Sequence, residues 1–383
     1  MTEWTDWPFF DDRHRELEAF VEEWATKNLA HDHGTDVDAE CRTIVVMLGR
    51  AGLLEHTVAH NGDLPDVRSL AIIRAGLAYH AGLADFSFAM QGLGSGAISL
   101  FGSNDLKKIW LPRVGKGEAI AAFALTEPET GSDAASLATT ARRDGDHYLL
   151  DGEKTFISNG TIADVLTVFA RTGSPQDGAR GLSAFVLPMS TPGVTIEKRI
   201  DTIAPHPLAR LRLENVKVST SCRLGEEGEG FKVAMRTLNL FRVTVAAAAL
   251  GFARRALDEA IAFTRQRNLA GAPLADHPVT QAKLAEMATS LDTSALLIAR
   301  AAWAQDRDPS ADHRRAAAMA KLHATEEAQK VIDAALQLHG GRGVEKGAKV
   351  EELYREIRAL RIYEGASEVQ RQVIGRSVAK DGR

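Results

Sequence analysis

Apolar positions along the 383-residue chain change period twice, dividing it into three zones. Over residues 1–120 they recur at spacings of three and four, as in helices that bury one face. Leu17, Phe20, Val21 and Trp24 follow Asp11-Asp12, whose carboxylates suit a helix N-terminus. Further helices are predicted over about 38–53, 67–80, 85–101 and 104–115, with Asn61-Gly62 and Gly102-Ser103-Asn104 as turn signals.

From about residue 120 the apolar runs are short and β-prone: Ala121–Thr126, Tyr148–Leu150, Val165–Phe169, Ser183–Leu187 and Leu211–Leu213. Asp144-Gly145, Asp151-Gly152, Asn159-Gly160 and Pro192-Gly193 punctuate them. A small antiparallel barrel or sandwich is predicted. From about 228 the helical period returns. Leu284, Met287, Leu291, Ala295, Ile298 and Ala302 form one stripe, and Ala324, Ala328, Val331, Ala335 and Leu338 another, stopped by Gly340-Gly341. Long helices with short connections imply an antiparallel bundle. The expected fold class is α+β, with an N-terminal helical domain (1–120), a β domain (121–225) and a C-terminal helical bundle (226–383).

Composition adds little and excludes some classes. A net charge of -5, with scattered basic residues, gives no electrostatic basis for binding nucleic acid. Cys41 and Cys222 lack metal-site spacing and suit buried free thiols in a reducing compartment. No signal-peptide core stands at the N-terminus and no membrane span is expected, so a cytoplasmic protein is anticipated.

Candidate chemistry lies in a few segments. Thr126-Glu-Pro-Glu-Thr-Gly-Ser-Asp133 follows a predicted strand. Pro128 stiffens its turn, Gly131 permits a bend, and its hydroxyls and N–H groups suit a flat heterocycle or a phosphate; an ordinary polar turn has the same look. Lys154-Thr-Phe-Ile-Ser-Asn-Gly160 ends in an Asn-Gly turn and reads equally as a hairpin. Arg267 closes a helix and suits an anion or simply the helix dipole. Gln337-Leu-His-Gly-Gly341 is adequate as a helix stop. Glu364, between Tyr363 and Gly365, is one of 51 acidic residues; a confined niche there would raise its pKa and make it a better base.

Taken together and in this order, the segments 123–133, 337–343 and 361–371 resemble the acyl-CoA dehydrogenase family, from about residue 11 to 380. That resemblance implies the helix–sheet–helix fold and FAD-dependent α,β-dehydrogenation of an acyl-CoA to its trans-2-enoyl thioester. Glu364 would take the α-proton and FAD the β-hydride. It implies FAD contacts at Phe123, Leu125, Thr126, Gly131, Ser132, Phe156, Ile157, Ser158, Ala366 and Glu368. A neighbouring subunit would add Arg267, Gln337, Gly340 and Gly341. Ser132, Asn239, Arg242, Gly365 and Arg376 would meet the substrate, an electron-transfer flavoprotein or similar acceptor would take the electrons, and the assembly would be a homotetramer.

Some positions depart from the family pattern. Ala366 replaces a threonine whose hydroxyl meets FAD, Leu269-Ala270 replaces a hydroxyl residue and phenylalanine, and Pro278 replaces a frequent glutamine. Phe241 occupies the position where some members carry the base, which leaves Glu364 for that role. Two alternatives stay open: another flavin reaction on the scaffold (oxidase, monooxygenase, desulfinase or carrier-protein thioester dehydrogenase), or a non-catalytic binding member. The run Gln91-Gly-Leu-Gly-Ser95 is expected to widen the acyl pocket for a branched or cyclic group.

Overall fold

The computed structural model describes residues 4–29, 36–59 and 64–381; the Asn61-Gly62 turn signal lies outside them. Among the described residues five α-helices come first: α1 (Asp12–Asn28), α2 (Val37–Arg50), α3 (Val67–His80), α4 (Gly82–Phe101) and α5 (Asn104–Gly115). Eight strands follow: β1 (Ala121–Ala124), β2 (Thr140–Asp144), β3 (His147–Ser158), β4 (Val165–Arg171), β5 (Leu182–Pro188), β6 (Val194–Ile200), β7 (Leu208–Ser219) and β8 (Arg223–Leu224). The chain then forms α6 (Gly230–Gln266), a small hairpin of β9 (Asn268–Leu269) and β10 (Ala272–Pro273), α7 (Pro278–Arg307), α8 (Arg314–His339), α9 (Lys349–Leu360) and α10 (Ser367–Asp381). The helical, sheet and helical regions occur in the anticipated order.

By packing, the chain divides into two compact units. One comprises 1–31, 66–85 and 242–383; the other comprises 32–65 and 86–241. The first zone's helices are shared out: α1 and α3 fall with the C-terminal helices, α2, α5 and most of α4 with the sheet.

In the sheet unit the strand order is β6-β7-β3-β2-β4-β5-β8, with β1 beside β4. Pairings are antiparallel except β1–β4 and the single β2–β4 pair, which are parallel. Every residue of β4 is buried, because both faces of the sheet are covered. One core contains Ala121, Val165, Phe169, Ala184 and Val186 with Ala97 and Ile98 of α4. The other contains Ala122, Leu166, Val168, Phe185, Leu150 and Leu211. Alternation of side chains along the strands separates the two sets. Strands β2 and β6 carry few apolar residues and are largely exposed, so no hydrophobic period announces them.

Three turn readings need correction. Asp151-Gly152 is not a turn: it sits inside β3 at a register shift, where Gly152 has φ 151° and a Cβ would stand 2.6 Å from Thr139 Oγ1. Asn159-Gly160 does turn, with Asn159 at φ 61°, but leads into β4, which does not pair with β3, so no hairpin forms. Gly131 is outside the left-handed region, and an added Cβ would meet nothing within 4 Å.

The glycines of α4 do not open a pocket. A Cβ on Gly92 or Gly96 would lie 2.7 or 2.6 Å from the Phe241 ring, and one on Gly94 2.7 Å from the Ala121 and Ala122 backbone. These glycines allow β1 and the Phe241 ring to approach α4. Gln91, fully buried, fixes that approach by bonding Ala119 O and Ala121 N at 2.8 Å each. Gly94→Ala is therefore expected to cost about 1–3 kcal/mol, more than Gly92→Ala, because a backbone yields less than a ring. Urea unfolding of the two variants checks the order.

In the helical unit α8 packs against α7, α9 and α10, and α3 packs against α1 and α7. The stripe through Met287, Leu291, Ala295, Ile298 and Ala302 is buried, as is that through Ala324, Ala328, Val331 and Ala335. Asp306 of α7 accepts from the first amides of α3, Val67 N (2.6 Å) and Arg68 N (3.0 Å), and from Arg68 Nε (2.9 Å). Burial, with the Asp66 charge, pushes Asp306 up to about 6. This clamp sets the start of α3, a helix that carries a buried arginine discussed below. One helix, α6, is long and apolar enough by length and composition to cross a membrane, but 78% of its apolar window is buried in the fold, as in a core helix.

Candidate active site

Glu364 lies between α9 and α10, in a turn fastened to α8. Val350, Leu353, Ile357 and Leu360 bury one face of α9 and bring its end onto the helical core. Arg361 then grips Glu326 of α8 (Nε–Oε1 3.1 Å, Nη2–Oε2 2.8 Å), and Ser367 Oγ donates to the same carboxylate. Within this loop Glu364 has φ 51° and Gly365 φ 93°. Two successive left-handed residues, one of them not glycine, are costly and persist only where surroundings hold them. Lys321 Nζ (2.9 Å) and Gln370 Nε2 (2.8 Å) both donate to the Gly365 carbonyl.

The Glu364 residue is only partly buried, but its Oε2 is enclosed and has no hydrogen-bond partner among the described residues. Burial raises its carboxyl above the ordinary carboxylate range; the charges of Arg74, Lys321 and Arg242 oppose this without cancelling it. Arg74, of α3, is 2% exposed and forms a bidentate pair with Asp85 at 2.8 Å on both oxygens, with Thr244 Oγ1 at 3.1 Å. Arg242 is 6% exposed on α6, and burial lowers its pKa. The rise anticipated for Glu364 is thus present, and its cause is the niche.

The motifs single out Glu364 and Arg242 here but miss Arg74, Asp85 and Lys321. Their signal was available: Arg74 and Asp85 interrupt apolar helical runs, and Lys321 lies three residues before Ala324 on the buried stripe of α8. Charged residues at core positions are rare enough to mark. Of the other candidates, Ala366 accepts Gln370 N through its carbonyl, Glu368 is exposed and pairs with Arg371 at 3.4 Å, and Arg376 is exposed on α10. Asn239 is half-buried on α6.

In the sheet unit two segments meet at the ends of β1 and β3. Thr155 N donates to Thr126 O (2.9 Å), while Lys154 Nζ reaches Leu125 O (3.2 Å) and Glu127 Oε1 (2.7 Å). Glu127 also accepts from Ala138 N (2.6 Å) and Thr139 N (3.0 Å), so this one carboxylate folds the 126–139 loop. A register shift against β7 falls between Lys154 and Ile157; there Phe156 has φ 53° and is 57% exposed. A bulge re-aims a side chain in this way. Ile157 is buried, Phe123 packs on Phe169 at 4.8 Å, Thr126 and Ser158 are half-buried, and Gly131 and Ser132 are exposed. An exposed ring beside hydroxyls and a turn suits one face and one edge of a flat heterocycle.

A third group lies in the helical unit, around an open cavity of about 440 Å³ lined by Phe263, Arg267, His339, Gly340, Gly341 and Arg342. Phe263 stacks on His339 at 4.3 Å, and Gly340 turns the chain at φ 60°. Two guanidinium groups beside a glycine turn suit a pyrophosphate. Gln337, exposed one turn earlier, does not line this cavity. The side chain of Leu269 is 52% exposed, Ala270 adopts φ 51°, and Pro278 begins α7, where a missing N–H costs nothing. The donors and exposed ring of the sheet unit suit the flavin part of FAD, and the guanidinium pair of the helical unit suits its pyrophosphate.

An enclosed carboxylate with a raised pKa, and a donor set fitted to FAD, define an oxidoreductase of the flavoprotein class. The chain belongs to the acyl-CoA dehydrogenase family. The family's N-terminal, middle and C-terminal domain models match residues 11–118, 122–216 and 228–379. The bovine mitochondrial short-chain specific acyl-CoA dehydrogenase is 41% identical over 290 residues, 75% of this chain and 70% of that protein. A 3-(aryl)acrylate reductase of Clostridium sporogenes is 44% identical over 283 residues, 73% and 74% of the two chains. Butyryl-CoA dehydrogenase of Megasphaera elsdenii superposes with a TM-score of 0.89 at 31% identity, covering 97% and 99%. The protein is an enzyme, and its cofactor is FAD.

Proposed function

We propose that this enzyme removes hydrogen across the Cα–Cβ bond of an acyl-CoA thioester, giving the trans-2-enoyl product, with Glu364 as the base. The observation that carries the proposal is the Glu364 Oε2: enclosed, without a hydrogen-bond partner among the described residues, and on a turn held in a costly conformation. A carboxylate so placed takes a proton from carbon readily, because little solvation must be shed first. The Glu364 N–H has no acceptor among the described residues and is the donor offered to the thioester carbonyl as enolate charge grows. The charges of Arg74, Lys321 and Arg242 oppose the burial effect and favour the ionised, basic form. FAD, when bound, supplies the acceptor for the β-hydride. Phe123, Leu125, Thr126, Gly131, Ser132, Phe156, Ile157 and Ser158 would hold it in one subunit, with Ala366 and Glu368 beside it. A second copy would bring Arg267, Gln337, Gly340 and Gly341. Ser132, Asn239, Arg242, Gly365 and Arg376 are assigned to the substrate, an electron-transfer flavoprotein to reoxidation, a homotetramer to the assembly and the cytoplasm to its location.

The acrylate reductase similarity bears on direction. By microscopic reversibility the same carboxyl, protonated, returns a proton to Cα when the reaction runs as a reduction. The deciding measurement is the anaerobic visible spectrum of the FAD-loaded protein before and after a set of straight, branched and cyclic acyl-CoAs. Loss of the flavin band is expected. A flavin that no thioester bleaches, or oxygen consumption with peroxide release, would replace the proposal by another flavin reaction.

A further inference from the structure

Among the described residues three Lys or Arg side chains are at most 2% exposed, and two of them are directly paired: Arg74 with Asp85 and Lys154 with Glu127. The third is Lys321, 0% exposed on α8, whose one hydrogen bond goes to a neutral acceptor, the Gly365 carbonyl at 2.9 Å. Among the described residues it makes no ion pair. A buried ammonium without a carboxylate partner is expensive. The Gly365 carbonyl gives no reason for a charge, since Gln370 donates to the same oxygen as a neutral amide at 2.8 Å.

We propose that Lys321 is a positioning residue for Glu364: it fixes the two-residue left-handed turn that carries the carboxylate and places a positive charge behind it. The inference rests on Glu364 being the base. Burial brings Lys321 down to about 8, with the Glu364 charge opposing. Arg242, Glu326 and Glu368 also act on Lys321, and Arg74, Arg242 and Asp85 on Glu364. Above about pH 8 the ammonium loses its proton. Its grip on Gly365 O then weakens and Glu364 loses one of its three supporting charges.

Lys321→Met and Lys321→Arg test this on the FAD-loaded enzyme. The readouts are flavin reduction by the same acyl-CoA set as a function of pH, and hydrogen exchange at the amides of 364–367. Lys321→Met is expected to lower kcat roughly 10–100-fold, as for loss of a charged hydrogen bond, with KM little changed. It should also shift the acid limb of the rate profile to higher pH, abolish an alkaline limb near pH 8 and speed exchange at 364–367. Lys321→Arg should recover part of the rate and keep the acid limb, and it too should lack the alkaline limb, because arginine stays charged. A Lys321→Met enzyme with the parental kcat and pH profile overturns the proposal. So does Lys321→Arg behaving as Lys321→Met, or unchanged exchange. If the parent enzyme reduces its flavin with no thioester, the proposed function fails, while the exchange comparison still decides whether Lys321 holds the turn.

Discussion

Glu364→Gln should bind FAD, fold normally and lose thioester-driven flavin reduction by roughly 10²–10⁴-fold, the usual worth of a positioned general base. Glutamine keeps the shape and can keep the φ 51° backbone, but its amide cannot accept the proton. Stopped-flow bleaching measures the loss; a rate within a few-fold of the parent would remove Glu364 from the chemistry. The raised pKa supplies two controls. In the parent the rate should rise with pH through a value above the ordinary carboxylate range, since the ionised form is the base. Stability runs the other way. The folded state holds this proton more tightly than the unfolded chain, so the favourable contribution is present at low pH and lost as pH rises through the folded value. Once ionised the side chain is a burden to the fold, so above the folded value Glu364→Gln should melt no lower than the parent. A variant that is both inactive and unstable would point to folding rather than catalysis.

Much of this arrangement could be read in the sequence because the strongest signals are periodic. Helices α1 to α5 and the stripes of α7 and α8 follow from spacings of three and four, and β1, β4 and β5 from compact apolar runs. Strands β2 and β6 could not be read in this way: β2 is almost wholly polar, β6 has only Val194, Ile196 and Ile200 as apolar residues, and pairing with β3 and β7 defines them. Glycine proved ambiguous for the same reason. In Gly152 it serves a bulge, in Gly92, Gly94 and Gly96 close packing, and at Gly131 the local backbone does not demand it; the letter alone does not distinguish these. At the site, Glu364 and Arg242 were singled out by their motifs, whereas the other charges that act on Glu364 come from α3, α4 and α8. Sequence gives each of them only as a charged residue on an apolar face, without the partner that explains it.

The same limit applies to Lys154, which sequence places in a strand motif and structure makes the foundation of a loop. Lys154→Met is expected to destabilise the protein by about 3–5 kcal/mol, the cost of removing one member of a buried ion pair. Lys154 is 0% and Glu127 5% exposed, so the orphaned carboxylate has no route to water without opening the 126–139 loop. Burial opposes ionisation of Glu127, but Lys154 and the Ala138 and Thr139 amides outweigh it and hold the carboxyl below its ordinary value of 4.5. Its contribution is therefore complete above that value and lost as pH falls through the depressed one. Replacing both partners by apolar residues often restores stability elsewhere. Here it should not, because a Glu127→Leu, Lys154→Met double variant strands the Ala138 and Thr139 amides. Urea unfolding of both variants, alongside FAD titration, separates the cases. A Lys154→Met protein within about 1 kcal/mol of the parent would mean that the pair behaves as a solvated one. A stable protein with weakened FAD binding would mean that the loop moves without unfolding the sheet. The loop bears Thr126 and Ser132, which are proposed to hold the flavin, so loss of stability and loss of flavin are expected together.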